Sequence, residues 1–510
     1  MLLQDYLINS SQRHPHKDAL FFGGRSVDYH TLAGAAHSIA QWILQFKPTA
    51  GFRVGILTDD PLEYSAGYFG ILMAGGVVVG LNTQTSDRSL LYTLDDSGAN
   101  FLIAGKKFLP YIKRIAPSLQ AVKAVAVTDG AAPARQGKIL WENLTTLLGE
   151  PPSGETIPPY RSCCDLAQII YTSGTTGKPK GVMLRHANLI ANTESILQYL
   201  HITASDRIMA VLPFFYSYGN SILLTHVAAG ASLVVNQNFI YPNVILDQMV
   251  EYEVTGFSGV PSTFAILLNR SAIDNYSFPK LRYLTQAGAA MSPALARRLG
   301  KVFPGAEIFI MYGQTEASAR LAYLSPGDLG TKPGSIGKAI PGVELLLLDK
   351  EGKKVAPGEI GEIVARGDNI MSGYWNREEE TRKVLRPEGL WTGDLARKDE
   401  DGYLYIVSRK SDIIKSGSHR IGPKEIEDVL MEHPAIHEAA VVGDADELLG
   451  ETIRGCIVLQ DGVEINTREI IKHCRKRLPA YKVPHRIEIM DNLPKTATGK
   501  IRKADLRLPN

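Results

Sequence analysis

Hydroxyls, glycines and two lysines crowd into the segment Tyr171-Thr172-Ser173-Gly174-Thr175-Thr176-Gly177-Lys178-Pro179-Lys180-Gly181, directly after the apolar run Leu166-Ala167-Gln168-Ile169-Ile170. Glycines free the backbone to curve, hydroxyls donate to anionic oxygens, and lysines neutralise charge, so the composition suits a polyphosphate. The spacing is not that of a Walker A loop. That motif places four residues between its first glycine and the Gly-Lys pair and follows the lysine with Ser or Thr. Here two residues separate Gly174 from Gly177, and Pro179 follows Lys178.

Such a loop has to be carried by packed elements. The 510 residues have a formal net charge of +2, with 45% apolar and 21% charged residues. This balance predicts a folded, multidomain chain and argues against disorder or a general nucleic-acid binder. Tyr68 to Leu81 is the longest apolar stretch; interrupted by glycines, it falls short of the roughly 20 residues a bilayer requires, so no transmembrane helix is expected. Met1-Leu2-Leu3-Gln4-Asp5-Tyr6 lacks the basic start of a signal peptide, which predicts a cytoplasmic protein. Cys163, Cys164, Cys456 and Cys474 show no paired CxxC spacing and read as reduced, structural thiols.

Apolar periodicity predicts a helix over Tyr29 to Phe46, strands at Arg53 to Leu57 and Val77 to Val79, and a helix between them from Leu62 to Met73. Repeated β-α-β order implies mainly parallel sheets with helices on their faces, an α/β class. Four prolines between Pro151 and Pro159 mark a joint. After the strand-like Tyr403 to Val407 the pattern shifts near Arg409, and the remainder reads as a small α+β lobe. Its expected elements are a helix opening at Pro423, a strand at Ala439 to Val442, a helix from about Thr467 to Arg477 and a strand at Arg486 to Met490. The expected division is a large part over 1–408 and a lobe over 409–510.

Three further motifs follow the phosphate loop in order: Tyr312-Gly313-Gln314-Thr315-Glu316, Trp391-Thr392-Gly393-Asp394 and Pro494-Lys495-Thr496-Ala497-Thr498-Gly499-Lys500. Together the set resembles the adenylate-forming superfamily of acyl-CoA synthetases, peptide-synthetase adenylation domains and beetle luciferases. The resemblance covers nearly the whole chain. It implies a multi-subdomain N-terminal part with a small mobile C-terminal lobe, and a reaction in which a carboxylate attacks the α-phosphate of ATP. An acyl-adenylate and pyrophosphate result, and a thiol then takes the acyl group. Such chemistry depends on positioning and charge neutralisation.

By the same resemblance Thr172 to Lys178 and Lys180 hold phosphates, Thr315 hydrogen-bonds the α-phosphate, and Glu316, after a predicted strand Ile308 to Met311, helps hold Mg2+. Tyr312, Gly313 and Gln314, with Ala287-Gly288-Ala289, border the nucleotide. Asp394 accepts from the ribose hydroxyls, and Arg409 binds the ribose from the hinge side. Taken singly, Tyr312 reads as core and the Asp–Arg pair as a salt bridge. Lys500 bridges carboxylate and α-phosphate, then leaves as the lobe rotates.

The hinge segment Arg409 to Arg420 departs from the family pattern twice. Ser411 stands where Asp or Lys usually pivots, leaving Asp412 as an alternative. Ser418 replaces the usual glycine beside the pantetheine path, with Gly417 just before it.

The expected acyl pocket is Leu212-Pro213-Phe214-Phe215-Tyr216-Ser217-Tyr218-Gly219, with Met311 and Ala287 to Ala289 as further wall. Tyr216 stands where many members carry histidine. No acid is present to anchor an ammonium, which disfavours an α-amino acid and favours an apolar acyl or aryl chain. Phe214 and Phe215 read equally well as core. Arg320 reads as a surface charge, with a polar group of the substrate as its alternative partner.

Between Arg468 and Asn510 twelve basic residues face four acids. A basic end suits the phosphates of coenzyme A or an acidic acyl carrier protein bearing phosphopantetheine. The expected activity is that of an acid–thiol ligase forming an acyl-CoA, with carrier-protein loading as the alternative. Kinase and nicotinamide oxidoreductase readings lack a Walker loop and a G-x-G-x-x-G turn after an early strand.

Overall fold

A computed structural model describes residues 1–128, 135–149, 162–172, 179–417, 419–460, 462–495 and 501–507. Two nine-stranded sheets dominate the described residues. In one, Glu307–Tyr312, Tyr283–Gln286, Gly256–Gly259, Arg207–Ala210, Ser232–Val235 and Asp18–Phe22 run parallel side by side. In the other, the parallel run is Leu166–Thr172, Val77–Gly80, Arg53–Leu57, Phe101–Ala104, Ala124–Val127 and Ile139–Asn143. The central strands of the second sheet are fully buried and mostly Val, Ile, Leu, Ala and Phe, as expected for parallel strands covered on both faces.

One apolar core contains side chains of both sheets and of the helices Tyr29–Leu44, Pro61–Met73, His186–Leu200 and Ser217–Ala229. The second of these shows how local sequence sets an element. Asp60 accepts from the amides of Leu62 and Glu63, and Pro61 opens the first turn. Such a cap contributes about 1 kcal/mol. At Gly70 the helix crosses its predecessor so closely that a Cβ would lie 2.5 Å from the carbonyl oxygen of Ala36.

A third, antiparallel sheet is built from Val343–Leu348, Ile360–Gly367, Gly389–Lys398 and Leu404–Arg409, with Leu385–Arg386 at its edge. A fourth lies wholly beyond Arg409. It combines the long hairpin Ile436–Asp446 and Gly450–Leu459 with Ile414–Ser416, His419–Ile421 and Arg486–Ile489, and helices Pro423–Met431 and Thr467–Arg475 accompany it. The strand at 436–446 is longer than its apolar centre predicted, and the 450–459 strand had not been read at all. Its polar residues, Glu451, Thr452 and Arg454, mask the strand pattern.

Arg454 is the buried anchor of this lobe. It pairs with Asp444 at 2.6 Å and Glu488 at 2.6 Å and also donates to the backbone oxygen of Leu506. Nearby, Lys495 and Ile501 form an isolated antiparallel bridge, and the Arg502 amide donates to the Pro494 oxygen at 2.8 Å. The proline-rich joint lies outside the described residues. Cys456 and Cys474 are buried as expected, but Cys163 and Cys164 are exposed, so packing does not explain those two. Among the described residues no helix is long and apolar enough to cross a membrane.

Candidate active site

The phosphate-loop residues Ser173, Gly174, Thr175, Thr176, Gly177 and Lys178 lie outside the described residues, but their flanks do not. Leu166–Thr172 and Lys180–Arg185 are antiparallel neighbours, with Thr172 opposite Lys180. The loop is therefore the connection of a hairpin whose first strand belongs to a parallel sheet. Lys180 pairs with Glu380 and lies 5.3 Å from the centre of the Tyr374 ring.

Tyr374 connects this hairpin to the next motif. Its hydroxyl donates to Glu316 Oε1 at 2.8 Å. Burial first, and the Glu316 charge second, push the Tyr374 phenol pKa up, so it remains a donor. No motif pointed to this tyrosine; the one available signal was an aromatic pair, Tyr374-Trp375, after Gly373. Thr315 sits beside Glu316 in a short 3-10 turn, and its hydroxyl lies 3.3 Å from Ser217 Oγ at the start of the helix Ser217–Ala229.

The chain from Tyr312 to Arg320 folds tightly on itself. A Cβ at Gly313 would lie 2.0 Å from the oxygen of Ala319, so this position requires glycine. Ser318 and Ala319 have φ of 57° and 122°, conformations that non-glycine residues rarely adopt. Asn369 holds the loop from outside by donating to the oxygens of Ala317 at 3.1 Å and Arg320 at 2.9 Å. Asn192 also donates to Arg320 O, at 3.1 Å.

Asp394 forms the far side of the site. Its amide donates to Thr392 Oγ1 at 3.2 Å, and its carboxylate accepts from Tyr312 OH at 2.7 Å and Arg409 Nε at 3.0 Å. Burial, then the Asp394 charge, raises the Tyr312 pKa, and the same carboxylate raises that of Arg409. Tyr312 thus links the Thr315–Glu316 turn to the Asp394–Arg409 pair. Glu362, also missed in the sequence, is buried beneath them, accepting from Gly393 N at 3.0 Å and Lys410 Nζ at 2.6 Å. Ala287 is buried, whereas Gly288, with φ of 90°, and Ala289 are exposed at the end of a central strand. Gln314 is half-buried in the motif loop.

Met311 is buried and lines a narrow interior pocket with Tyr218, Ser258 and Thr285. Phe215 is buried in a separate place, against Gly80 and in a crevice with Tyr64 and Gln237, so Phe215 and Met311 face different spaces. Tyr216 is half-buried with its ring 4.3 Å from that of Phe215. Arg320 is not a surface charge: it is 3% exposed and lines the same interior pocket as Met311.

Ser411 is exposed in a turn, and its backbone oxygen accepts from Arg507 at 3.0 Å. Gly417 has φ of 57° and donates its amide to Leu449 O at 2.8 Å. Ser418 and Lys500 lie outside the described residues, although the Lys495–Ile501 bridge joins the chain on either side of the lysine motif. The basic end is partly neutralised within the lobe: Lys482, Lys495 and Lys503 pair with Glu425, Glu438 and Glu427.

The AMP-binding enzyme family matches residues 7–375, and the AMP-binding enzyme C-terminal domain matches residues 425–500. The chain belongs to the adenylate-forming superfamily. Among relatives of this AMP-binding enzyme, a long-chain-fatty-acid–CoA ligase of Bacillus subtilis (strain 168) is 32% identical, with 99% of this chain and 94% of the relative aligned. An indoleacetate–CoA ligase of Aromatoleum aromaticum is 31% identical, covering 99% and 98% of the two chains. An anthranilate CoA ligase, solved with anthranoyl-AMP, superposes with a TM-score of 0.91 at 30% identity over 99% of this chain and 96% of that one. The o-succinylbenzoate CoA synthetase of Bacillus subtilis, solved with ATP and magnesium, gives a TM-score of 0.83 at 30% identity, covering 97% and 98%. The enzyme is accordingly an AMP-forming acid–thiol ligase.

Proposed function

We propose that the enzyme activates a carboxylic acid as its acyl-adenylate, releases pyrophosphate, and transfers the acyl group to coenzyme A in the cytoplasm. The observation that supports this reading is the Tyr312 link, which holds the Thr315–Glu316 turn and the Asp394–Arg409 pair in one continuous site.

In the first half-reaction a substrate carboxylate oxygen attacks the α-phosphorus and the bond to pyrophosphate breaks. Thr315 donates to an α-phosphate oxygen, Lys178 and Lys180 balance the departing charge with the Thr172–Gly177 loop around it, and Lys500 joins the two reactants. Gly288, Ala289, Gly313 and Gln314 border the adenine, and Asp394 accepts from the ribose once the nucleotide competes for its oxygens. Glu316 has one carboxylate oxygen held by Tyr374 and, among the described residues, no hydrogen-bond donor on the other, and a single carboxylate beside phosphates fits the preference of Mg2+ for few protein ligands. Bound there, Mg2+ supplies neutralisation of phosphate charge.

In the second half-reaction the thiol sulfur attacks the acyl carbon and AMP leaves. Residues 409–510 act as the mobile lobe on residues 1–408, turning at Ser411 or Asp412, and Gly417 and Ser418 flank the pantetheine path. The half-buried aromatic Tyr216 and the buried Met311 suit an organic acid with apolar bulk next to its reacting carboxylate.

Pyrophosphate release is to be measured over a panel of fatty and aryl acids, with and without coenzyme A, and products identified by mass. Acid-dependent release with the matching acyl-CoA is expected. Release unaffected by coenzyme A, with no thioester formed, would move the acceptor thiol to an acyl carrier protein.

A further inference from the structure

Arg320 combines three properties that rarely coincide: a full positive charge, near-complete burial and, among the described residues, no carboxylate partner. Its Nε donates to Met311 Sδ at 3.3 Å and its Nη1 to Ala319 O at 3.3 Å. The guanidinium carbon lies 4.1 Å from the centre of the Tyr218 ring. The Tyr199 phenol also interacts with the guanidinium, and these neutral groups together solvate a cation weakly, whereas a guanidinium offers five N–H donors. Buried charges are ordinarily paired, so this one is built for an anion that arrives from outside.

The surroundings support the same reading. Arg320 ends the loop that carries Thr315 and Glu316, and the backbone departs from ordinary geometry at Ser318 and Ala319 immediately before turning it inward. Strain of this kind persists where function over-determines the conformation. Neighbouring hydroxyls form a connected set, with Tyr218 OH 2.9 Å from Thr285 Oγ1, which is 2.6 Å from Ser258 Oγ. Tyr218 also adjoins Ser217, whose hydroxyl touches that of Thr315 at 3.3 Å. Consecutive residues at the start of one helix therefore stand one against Thr315 and the other against the buried cation.

We infer that the acid this enzyme activates carries a second carboxylate, and that Arg320 binds it at the far end of the acyl pocket. This rests on the ligase reading above and narrows its substrate class. One carboxylate meets the α-phosphate near Thr315; the other meets the guanidinium, beside the Tyr218, Ser258 and Thr285 hydroxyls, of which Tyr218 already donates to the Thr285 backbone oxygen at 3.0 Å. A methyl-terminated chain of equal length would leave the cation unpaired, and a site built around a polar partner rejects the analogue that lacks it.

The test compares matched pairs, straight-chain α,ω-dicarboxylic acids against monocarboxylic acids of the same carbon number from three to ten, and carboxylated against unsubstituted arylacetic acids. Wild-type enzyme is expected to show kcat/KM at least about tenfold higher for the diacid at one or more lengths. Arg320→Met should abolish or invert that preference while still activating monoacids, and Arg320→Lys should keep part of it. The inference is overturned if no diacid exceeds its partner, or if Arg320→Met lowers both members of every pair equally, as a purely structural arginine would. Should Arg320→Met not fold, the wild-type ratio and Arg320→Lys decide the matter. Pyrophosphate release with no acid at all would overturn the ligase reading itself, a different result from monoacid activation without diacid preference.

Discussion

Tyr374 holds one oxygen of Glu316, donating its hydroxyl at 2.8 Å from a two-residue strand that pairs with the outgoing arm of the phosphate-loop hairpin. The carboxylate is thereby oriented by the same sheet that carries the phosphate loop. Removing the hydroxyl leaves Glu316 in place but free to turn. Partners of this kind typically alter metal affinity about 10- to 100-fold. Tyr374→Phe should raise the Mg2+ concentration needed for half-maximal pyrophosphate release by about tenfold and leave the thermal midpoint nearly unchanged.

Lys500→Ala should reduce adenylate formation by about a hundredfold or more, since it removes charge stabilisation confined to that transition state. Reaction of preformed acyl-adenylate with coenzyme A should continue at close to the wild-type rate. Stopped assays of the separate half-reactions measure both, and adenylation by the variant at the wild-type rate would show that this lysine does not join the reactants.

Gly313 has no room for a methyl group, because its Cβ would meet the Ala319 oxygen at 2.0 Å. Gly313→Ala must therefore push apart the Gly313 and Ala319 backbones that frame the Thr315–Glu316 turn. A displacement near 1 Å costs about a hundredfold in rate. Adenylation should fall by that order, with a loss of about 1–3 kcal/mol in unfolding free energy by urea titration.

Burial lowers the His226 pKa from 6.5 to about 4, and its Nε2 lies 2.9 Å from the Tyr283 hydroxyl. Between about pH 6.5 and 4 the unfolded chain takes up a proton that the folded one refuses. This residue's contribution to stability is therefore present above pH 6.5 and withdrawn as pH falls, by about 3 kcal/mol in full. His226→Asn should be less stable at pH 7 but show a shallower decline from pH 7 to 5 in urea midpoints. An unchanged slope would assign the acid sensitivity elsewhere.

Much of this was legible in the sequence for identifiable reasons. The strands Arg53–Leu57 and Leu166–Thr172 are largely buried and read as mostly apolar runs, and Leu62 to Met73 announces its helix by apolar spacing, while the Asp60-Pro61 cap extends that helix by one residue. Asp394 and Arg409 stand out through their motifs, and the structure pairs them as the salt bridge that the two residues taken singly suggest. Tyr374 and Glu362 were not, because each acts through a neighbour distant in sequence: Glu316 is 58 positions from Tyr374, and Lys410 is 48 from Glu362. Arg320 was misread for a related reason. Charge predicts exposure, and only the turn forced by Gly313 and the φ values of Ser318 and Ala319 sends it inward.

The buried Arg454 has a mechanical consequence. By gripping Asp444, Glu488 and the backbone of Leu506, it fastens the chain around Leu506 to the body of the lobe, while Lys495 pairs with Glu438 of the long hairpin and bridges to Ile501. The described residues that flank 496–500 are thus carried by the same sheet, so a rotation of that sheet would move both together as one rigid mount.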